Sequence, residues 1–290
     1  MRSQITTKRH PRSSAEISFR RFLPIFPALA LFLASCGGNP STDEESLSDA
    51  ETADRVENTR FTIETVSYSA TEEDCALEDC TNIKVEIPQL RGEDDAVAEK
   101  INTAVEEQFR EMVKARLPEP MNAPWDVMMD SFMQGFEMFK LEFPHSTQKW
   151  FLHIHGKESQ ISGERFILHI TDEEYMGGAH PNSYVILKTY DLNTGNEVDV
   201  LREFDLPTLE RVAEEYFRRE RGLEADAPLN DRGLMFPDSR FIVAENLAVV
   251  GDTLLMIYNP YEVAAYSEGY TFLNIPLSEL RETDRTAEMN

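Results

Sequence analysis

Three stretches of this sequence gather residue types that can do chemistry. The first is Tyr175-Met176-Gly177-Gly178-Ala179-His180-Pro181-Asn182. An imidazole can donate, accept or change charge near neutral pH. Gly177 and Gly178 permit positive φ and a close backbone approach, and Pro181 stiffens the residue after His180. Asp172, Glu173 and Glu174 lie just upstream. Such a loop can hold Tyr175, His180 and Asn182 toward a ligand. It reads equally as a structural turn whose histidine caps a neighbouring backbone.

The second stretch is Asn259-Pro260-Tyr261-Glu262-Val263-Ala264-Ala265-Tyr266-Ser267-Glu268-Gly269. It reads as a strand exit, a proline turn, about two helical turns and a glycine stop. Tyr261 and Tyr266 fall near one face, and tyrosines are large, stiff, amphipathic contact residues. Glu262 adds a carboxylate. Against this stands a purely structural connection with its tyrosines packed on a sheet.

The third is His153-x-His155, which puts two imidazoles on one face of a strand because side chains alternate. With His169 on the paired strand, a three-histidine metal set can be drawn. Zinc needs three or four ligands converging at about 2 Å, and spacing does not show convergence. Polar strand faces carry histidines routinely, so no metal site and no cofactor is assigned. The sequence also lacks a Gly-x-Ser-x-Gly elbow, a phosphate loop, a His-Glu-x-x-His pair and a dinucleotide glycine fingerprint. No catalytic residue is assigned.

The elements that must position these residues follow a leader. Arg2, Lys8, Arg9, Arg12, Arg20 and Arg21 form a basic start with only Glu16 against them. The apolar run Phe22–Ala34 is shorter than the ~20 residues of a membrane helix and has the flanks of a signal sequence. It ends in Leu33-Ala34-Ser35-Cys36, a lipobox, so residues 1–35 are expected to be removed and Cys36 to carry lipid. More than one acyl chain gives stable anchoring. The expected place is the periplasmic or extracellular side of a bacterial membrane.

The whole chain has 28 basic and 53 acidic residues, net −25, and loss of the leader takes this to −30. That charge repels nucleic acid. It suits a cationic partner through steering, or simply solubility. Besides Cys36 the mature chain has Cys75 and Cys80. An even pair in an oxidising compartment, spaced to close a short loop, reads as a disulfide.

Residues 36–58 are polar, acidic and poor in apolar residues, which predicts a flexible tether. Alternation predicts strands over 61–68 and 83–87. Val97, Ile101, Val105, Phe109, Val113 and Leu117 mark a helix ended by Pro118 and Pro120. Trp125–Phe143 is a second helix with a Met and Phe face, read as core or, less simply, a greasy groove. Trp150–His155 and Arg165–Thr171 form a hairpin, and Tyr184–Asp191 is another strand. Leu206–Arg221 is a helix between Pro207 and Gly222. Strands follow at 241–249, 253–258 and 269–275. This order predicts an α+β fold of largely antiparallel sheets with helices on one face, in two small subdomains, 59–186 and 187–281, before a tail at 282–290.

Tyr175-x-Gly-Gly-Ala-His180-Pro-Asn182, Tyr190-Asp191-Leu192-x-Thr194-Gly195, Asn259-Pro-Tyr261-Glu262-Val-Ala-x-Tyr266-x-x-Gly269 and Ile275-Pro276-Leu-Ser-Glu-Leu280 occur in this order. Together they resemble the paired extracellular domains of unknown function in RsiV, a lysozyme-binding anti-sigma factor, and PdaC, a peptidoglycan deacetylase. The resemblance covers roughly 60–281 and implies an α+β fold and an envelope location. It does not carry over sigma-factor binding or deacetylation, because no sigma-binding segment or deacetylase domain is recognised in these residues. The expected role is a non-enzymatic binding module using Tyr175, Gly177, Gly178, His180, Asn182, Tyr261, Glu262 and Tyr266. Its expected partner is a cationic lysozyme-like protein or peptidoglycan. The alternative is a hydrolase or deacetylase acting on cell-wall glycan or peptide through His180 and a carboxylate.

Overall fold

A computed structural model describes residues 4–7, 60–73, 75, 80–92 and 95–281. Cys36 and the tether therefore lie outside the described residues. The strands are β1 (Gln4–Thr7), β2 (Phe61–Thr71), β3 (Asn82–Gly92), β4 (Phe151–His155), β5 (Gln160–Ser162), β6 (Arg165–Tyr175), β7 (Asn182–Asp191), β8 (Leu247–Val250), β9 (Thr253–Tyr258) and β10 (Thr271–Pro276). The helices are α1 (Asp95–Lys114), α2 (Trp125–Glu142), α3 (Leu206–Glu220) and α4 (Leu277–Arg281). The fold is α+β, with two separate sheets that are mostly antiparallel.

The first sheet runs β1-β2-β3-β4-β6, with β7 on the far edge of β6; β1 belongs to the leader expected to be removed, and without it β2 is the edge strand. β4 and β5 lie end to end along the other edge of β6, pairing with 171–175 and 165–167 respectively. The expected hairpin is thus corrected. β4 pairs with the far end of β6, and the tight hairpin is β5–β6. Gly156 N still donates to Glu86 O at 2.9 Å, the last bond of the parallel β3–β4 ladder, and β4 ends at His155. β3 and β4 are the one parallel pair among the described strands. A parallel pair needs a long crossover, and α1 and α2 supply it.

Those helices bury their apolar stripe on one face of the sheet. Ile101, Val105 and Phe109 of α1 and Met128, Met129 and Phe132 of α2 are fully buried against Ile83, Val85, Leu152 and Ile154. Most of the Met and Phe face of α2 is therefore core. Asn102 pins α1 to β3 by accepting from Leu90 N at 2.7 Å and donating to Leu90 O at 3.0 Å. The last expected turn of α1 tightens, with Arg116 N on Val113 O and Leu117 N on Lys114 O, before Pro118 ends it.

The second sheet, β10-β9-β8, stacks on the other face of the first through Ile167, Val185 and Leu187 against Ala248 and Ile257. Its outer face packs on α3 through Leu254, Met256, Leu273 and Ile275 against Leu209, Val212 and Phe217. Asp205 caps α3, its carboxylate accepting from Thr208 N at 3.1 Å. Two expectations fail here. The strand expected over 241–249 begins only at Leu247; just before it, Asn246 O accepts from Ile257 N at 2.9 Å while its side-chain amide bonds the edge of β7. The segment 261–269 is not two helical turns. Tyr261 takes a left-handed φ of 72°, Ala264 bridges Leu234, and one 3₁₀ turn, Tyr266–Glu268, remains.

Candidate functional site

The loop after β6 and the segment after β9 meet at the edge of the two stacked sheets. β6 ends at Tyr175, whose hydroxyl donates to Gly178 O at 3.0 Å and folds the loop back. Gly177 and Gly178 carry φ of 110° and 113°, a conformation that L side chains avoid. The loop thereby places His180 beside the second sheet. Its ring stacks on Tyr266 with centroids 3.7 Å apart and planes 16° apart. Its Nε2 lies 3.1 Å from the Tyr261 hydroxyl, and Nδ1 lies 2.8 Å from Pro181 O. Tyr261 and Tyr266 are 5.6 Å apart by centroid.

The turn that presents Tyr261 is locked from below. Glu262 accepts from Asn259 N at 3.0 Å and from Asn259 Nδ2 at 3.1 Å. Tyr261 N donates to Ala264 O. These bonds hold Tyr261 at positive φ, a backbone state that costs a non-glycine residue of order 1 kcal/mol or more. Tyr261 remains 52% exposed. The structure thus brings Tyr175, Gly177, Gly178, His180, Tyr261 and Tyr266 into one cluster. Glu262 sits in it as the brace of the turn. Asn182 is different: it opens β7 opposite Glu174.

Two asparagines that sequence reasoning missed fix this junction. Asn259 accepts from Val185 N at 2.7 Å and donates to Val185 O at 3.0 Å. Asn246 accepts from Leu187 N at 2.7 Å and donates to Val185 O at 2.8 Å. Together they satisfy the edge of β7, so the second sheet docks through side-chain amides where a further strand would pair. Tyr270 adds a bond to Ser183 Oγ at 2.6 Å. Asn259 had a signal, because it opens the tyrosine motif. Asn246 had none.

The carboxylates upstream of the loop divide by strand alternation. Asp172 and Glu174 point to the helix side and clamp Arg116 at 2.9 and 2.7 Å. Burial pushes the Asp172 carboxyl up to about 6 although Arg116 pulls it down. Its Oδ1 has no partner among the described residues. Beside this clamp a cleft of about 560 Å³ opens, lined by Arg116, Met138, Phe139, Trp150, Glu174 and Met176. His180 is not among its walls. Among the described residues no carboxylate bonds to His180, so the imidazole has aromatic and carbonyl neighbours and no acid to orient it for proton transfer.

His169 does not join His153 and His155. On that edge of β6 its backbone N–H donates to Ser159 Oγ at 3.1 Å, and its position lies beyond the end of β4. The residue opposite His153 is Glu173. Cys75 and Cys80 are joined in a disulfide.

No helix among the described residues is long and apolar enough to cross a membrane. No protein of curated function matches the chain. Two solved structures share the fold. A DUF3298 family member from Bacteroides fragilis has a TM-score of 0.56 and 14% identity, over 75% of this chain and 91% of its own. A DUF3298 family protein from Pseudomonas aeruginosa has a TM-score of 0.52 and 18% identity, over 76% and 92%. Residues 75–183 match the family described as "Deacetylase PdaC", and residues 199–278 match that described as "Protein of unknown function (DUF3298)". The chain thus resembles these two cell-envelope domain families in tandem, which is the resemblance read from its motifs.

Proposed function

We propose that this chain is an envelope lipoprotein, held by acyl groups on Cys36, that acts as a non-enzymatic binding module for a cationic lysozyme-like protein or for cell-wall glycan. The observation that carries the reading is the His180–Tyr261–Tyr266 cluster. It spans the two matched segments, exposes aromatic area and holds it rigidly. Rigid aromatic anchors lose little entropy on binding and dominate contact energies. A tyrosine kept at positive φ is a strained residue of the kind that gathers at functional sites. The surplus of acid, −25 over the chain, would steer a cationic partner. The lipobox and the envelope character of the matched families support the location.

The test is direct binding of the full chain to a cationic lysozyme and to peptidoglycan. Tyr266→Ala and His180→Ala are expected to weaken saturable binding at least about tenfold, with a hot-spot residue worth more than ~1 kcal/mol. Thermal stability should fall by only a few degrees, because a lost stacking contact of about 1 kcal/mol shifts Tm by about 2–4 °C in a fold of this size. A protein partner would also lose affinity as salt rises, whereas a neutral glycan would not. Failure to bind either ligand, or undiminished binding by both variants, would overturn the reading.

A further inference from the structure

We propose that His153, His155 and Glu173 form a three-ligand site for a divalent transition-metal ion of the zinc class, on the face of the first sheet turned away from α1 and α2. The argument begins with register. Leu152 and Ile154 point into the helix-side core, so His153 and His155 point the other way. Glu173 lies directly opposite His153 in the antiparallel β4–β6 pair, and opposed residues share a face. The ligand atoms these three side chains can offer all lie within 4.8 Å of one another. Small side-chain rotations close that to the spacing of ligands about 2 Å from one ion.

The surroundings of the rings make this more than a chance meeting. Asn82 donates its Nδ2 to Cys80 O at 2.7 Å, which turns its Oδ1 toward His153 Nε2. That oxygen only accepts, so Nε2 carries the proton and the lone pair of a neutral ring sits on Nδ1. His155 Nδ1 lies 2.8 Å from Glu86 Oε2, which leaves its Nε2 as the free ligand atom. Metal-bound histidines characteristically place their second nitrogen against a carboxylate or carbonyl oxygen; the His153–Asn82 contact is such a hydrogen bond, and the His155–Glu86 contact is a close approach that is not aligned as one.

Glu86 itself is occupied. Lys157 at 2.7 Å and Lys84 at 3.1 Å both pair with its carboxylate. It therefore serves as an orienting anion and not as a competing ligand. Glu173 is exposed, which gives an ion access and leaves room for a further ligand. Two imidazoles and a carboxylate suit Zn²⁺ and its neighbours better than Ca²⁺ or Mg²⁺, which prefer all-oxygen shells.

The experiment is calorimetric titration of the chelator-treated full chain with Zn²⁺, paired with Co²⁺ titration read by its visible absorption. One equivalent is expected, with the spectrum of low-coordinate Co²⁺ on nitrogen and oxygen. His155→Ala and Glu173→Gln should each weaken binding at least about tenfold, and Asn82→Ala, which acts only through His153, about tenfold. His169→Ala should bind as the parent does. Glu173→Gln keeps the test sound if the histidine variant folds poorly, since an exposed isostere leaves packing alone. Absence of saturable one-equivalent binding would overturn the proposal. So would binding by Glu173→Gln equal to the parent, or a loss confined to His169→Ala. None of these outcomes bears on the aromatic cluster, whose variants and ligands are separate.

Discussion

The imidazole of His180 lies flat on the ring of Tyr266, 3.7 Å between centroids, and each ring comes from a different one of the two matched segments. The contact ties the glycine loop of the first sheet to the tyrosine turn of the second. A double-mutant cycle of His180→Ala and Tyr266→Ala in urea unfolding should give a coupling of about 0.5–1.5 kcal/mol, the range for stacked aromatic pairs. Strictly additive effects, within about 0.3 kcal/mol, would show that the rings are neighbours without mutual stabilisation.

Asn259 is a stronger stability determinant than any residue of the aromatic cluster. It is 8% exposed, and its Oδ1 is the acceptor for Val185 N. Asn259→Ala strands that amide at the sheet junction and should cost about 1–3 kcal/mol, the penalty for an unsatisfied buried donor. Val185 O keeps its bond from Asn246, so the loss belongs to the N–H. Asn259→Asp should not rescue stability, because a carboxylate oxygen would then face Val185 O. Wild-type urea midpoints for either variant would contradict this account.

Asp172 gives the fold a pH dependence of definite sign. Its folded carboxyl, at about 6, binds a proton more tightly than the unfolded carboxyl at 3.8. Its contribution is therefore full below about pH 3.8 and is lost as pH rises through 6. The difference corresponds to roughly 3 kcal/mol. Asp172→Asn should flatten the stability profile between pH 4 and about 7, while Glu174 still holds Arg116. An unchanged slope across that interval would remove Asp172 as its source.

The Cys75–Cys80 disulfide closes a loop of about six residues, so loop-entropy scaling gives about 2 kcal/mol. Replacing both cysteines with serine should lower stability by about that amount and leave the far-UV circular dichroism unaltered. A loss well beyond it would mean that the disulfide holds β2 and β3 in place rather than merely restraining the unfolded chain.

Cys36 can be tested apart from the folded residues. Cys36→Ala should abolish fatty-acid labelling and leave uncleaved or soluble protein. Labelling that persists in this variant would reject the anchor.

Local patterns carried much of this protein. The stripe from Ile101 to Val113 makes α1 because apolar residues at that spacing share one face of a helix, and Asp205 and Pro207 start α3 for reasons within four residues of themselves. Gly177 and Gly178 announced positive φ because no other residue takes it cheaply. The even pair of cysteines announced its bond. Such features depend on near neighbours, which the sequence contains.

Tertiary structure alone decided which distant residues meet. His153 pairs with Glu173 and not His169 because β4 runs beside the 171–175 end of β6, which leaves His169 beyond it. Asn246, just ahead of β8, gives its side-chain amide to the edge of β7. Tyr261 leaves the expected helix because Glu262 ties back to Asn259 and Ala264 bridges Leu234. The first two outcomes depend on partners far apart in the chain, and the third on a local tie together with the distant bridge to Leu234. Strand register and sheet stacking settle it, and neither is written in any single stretch of residues.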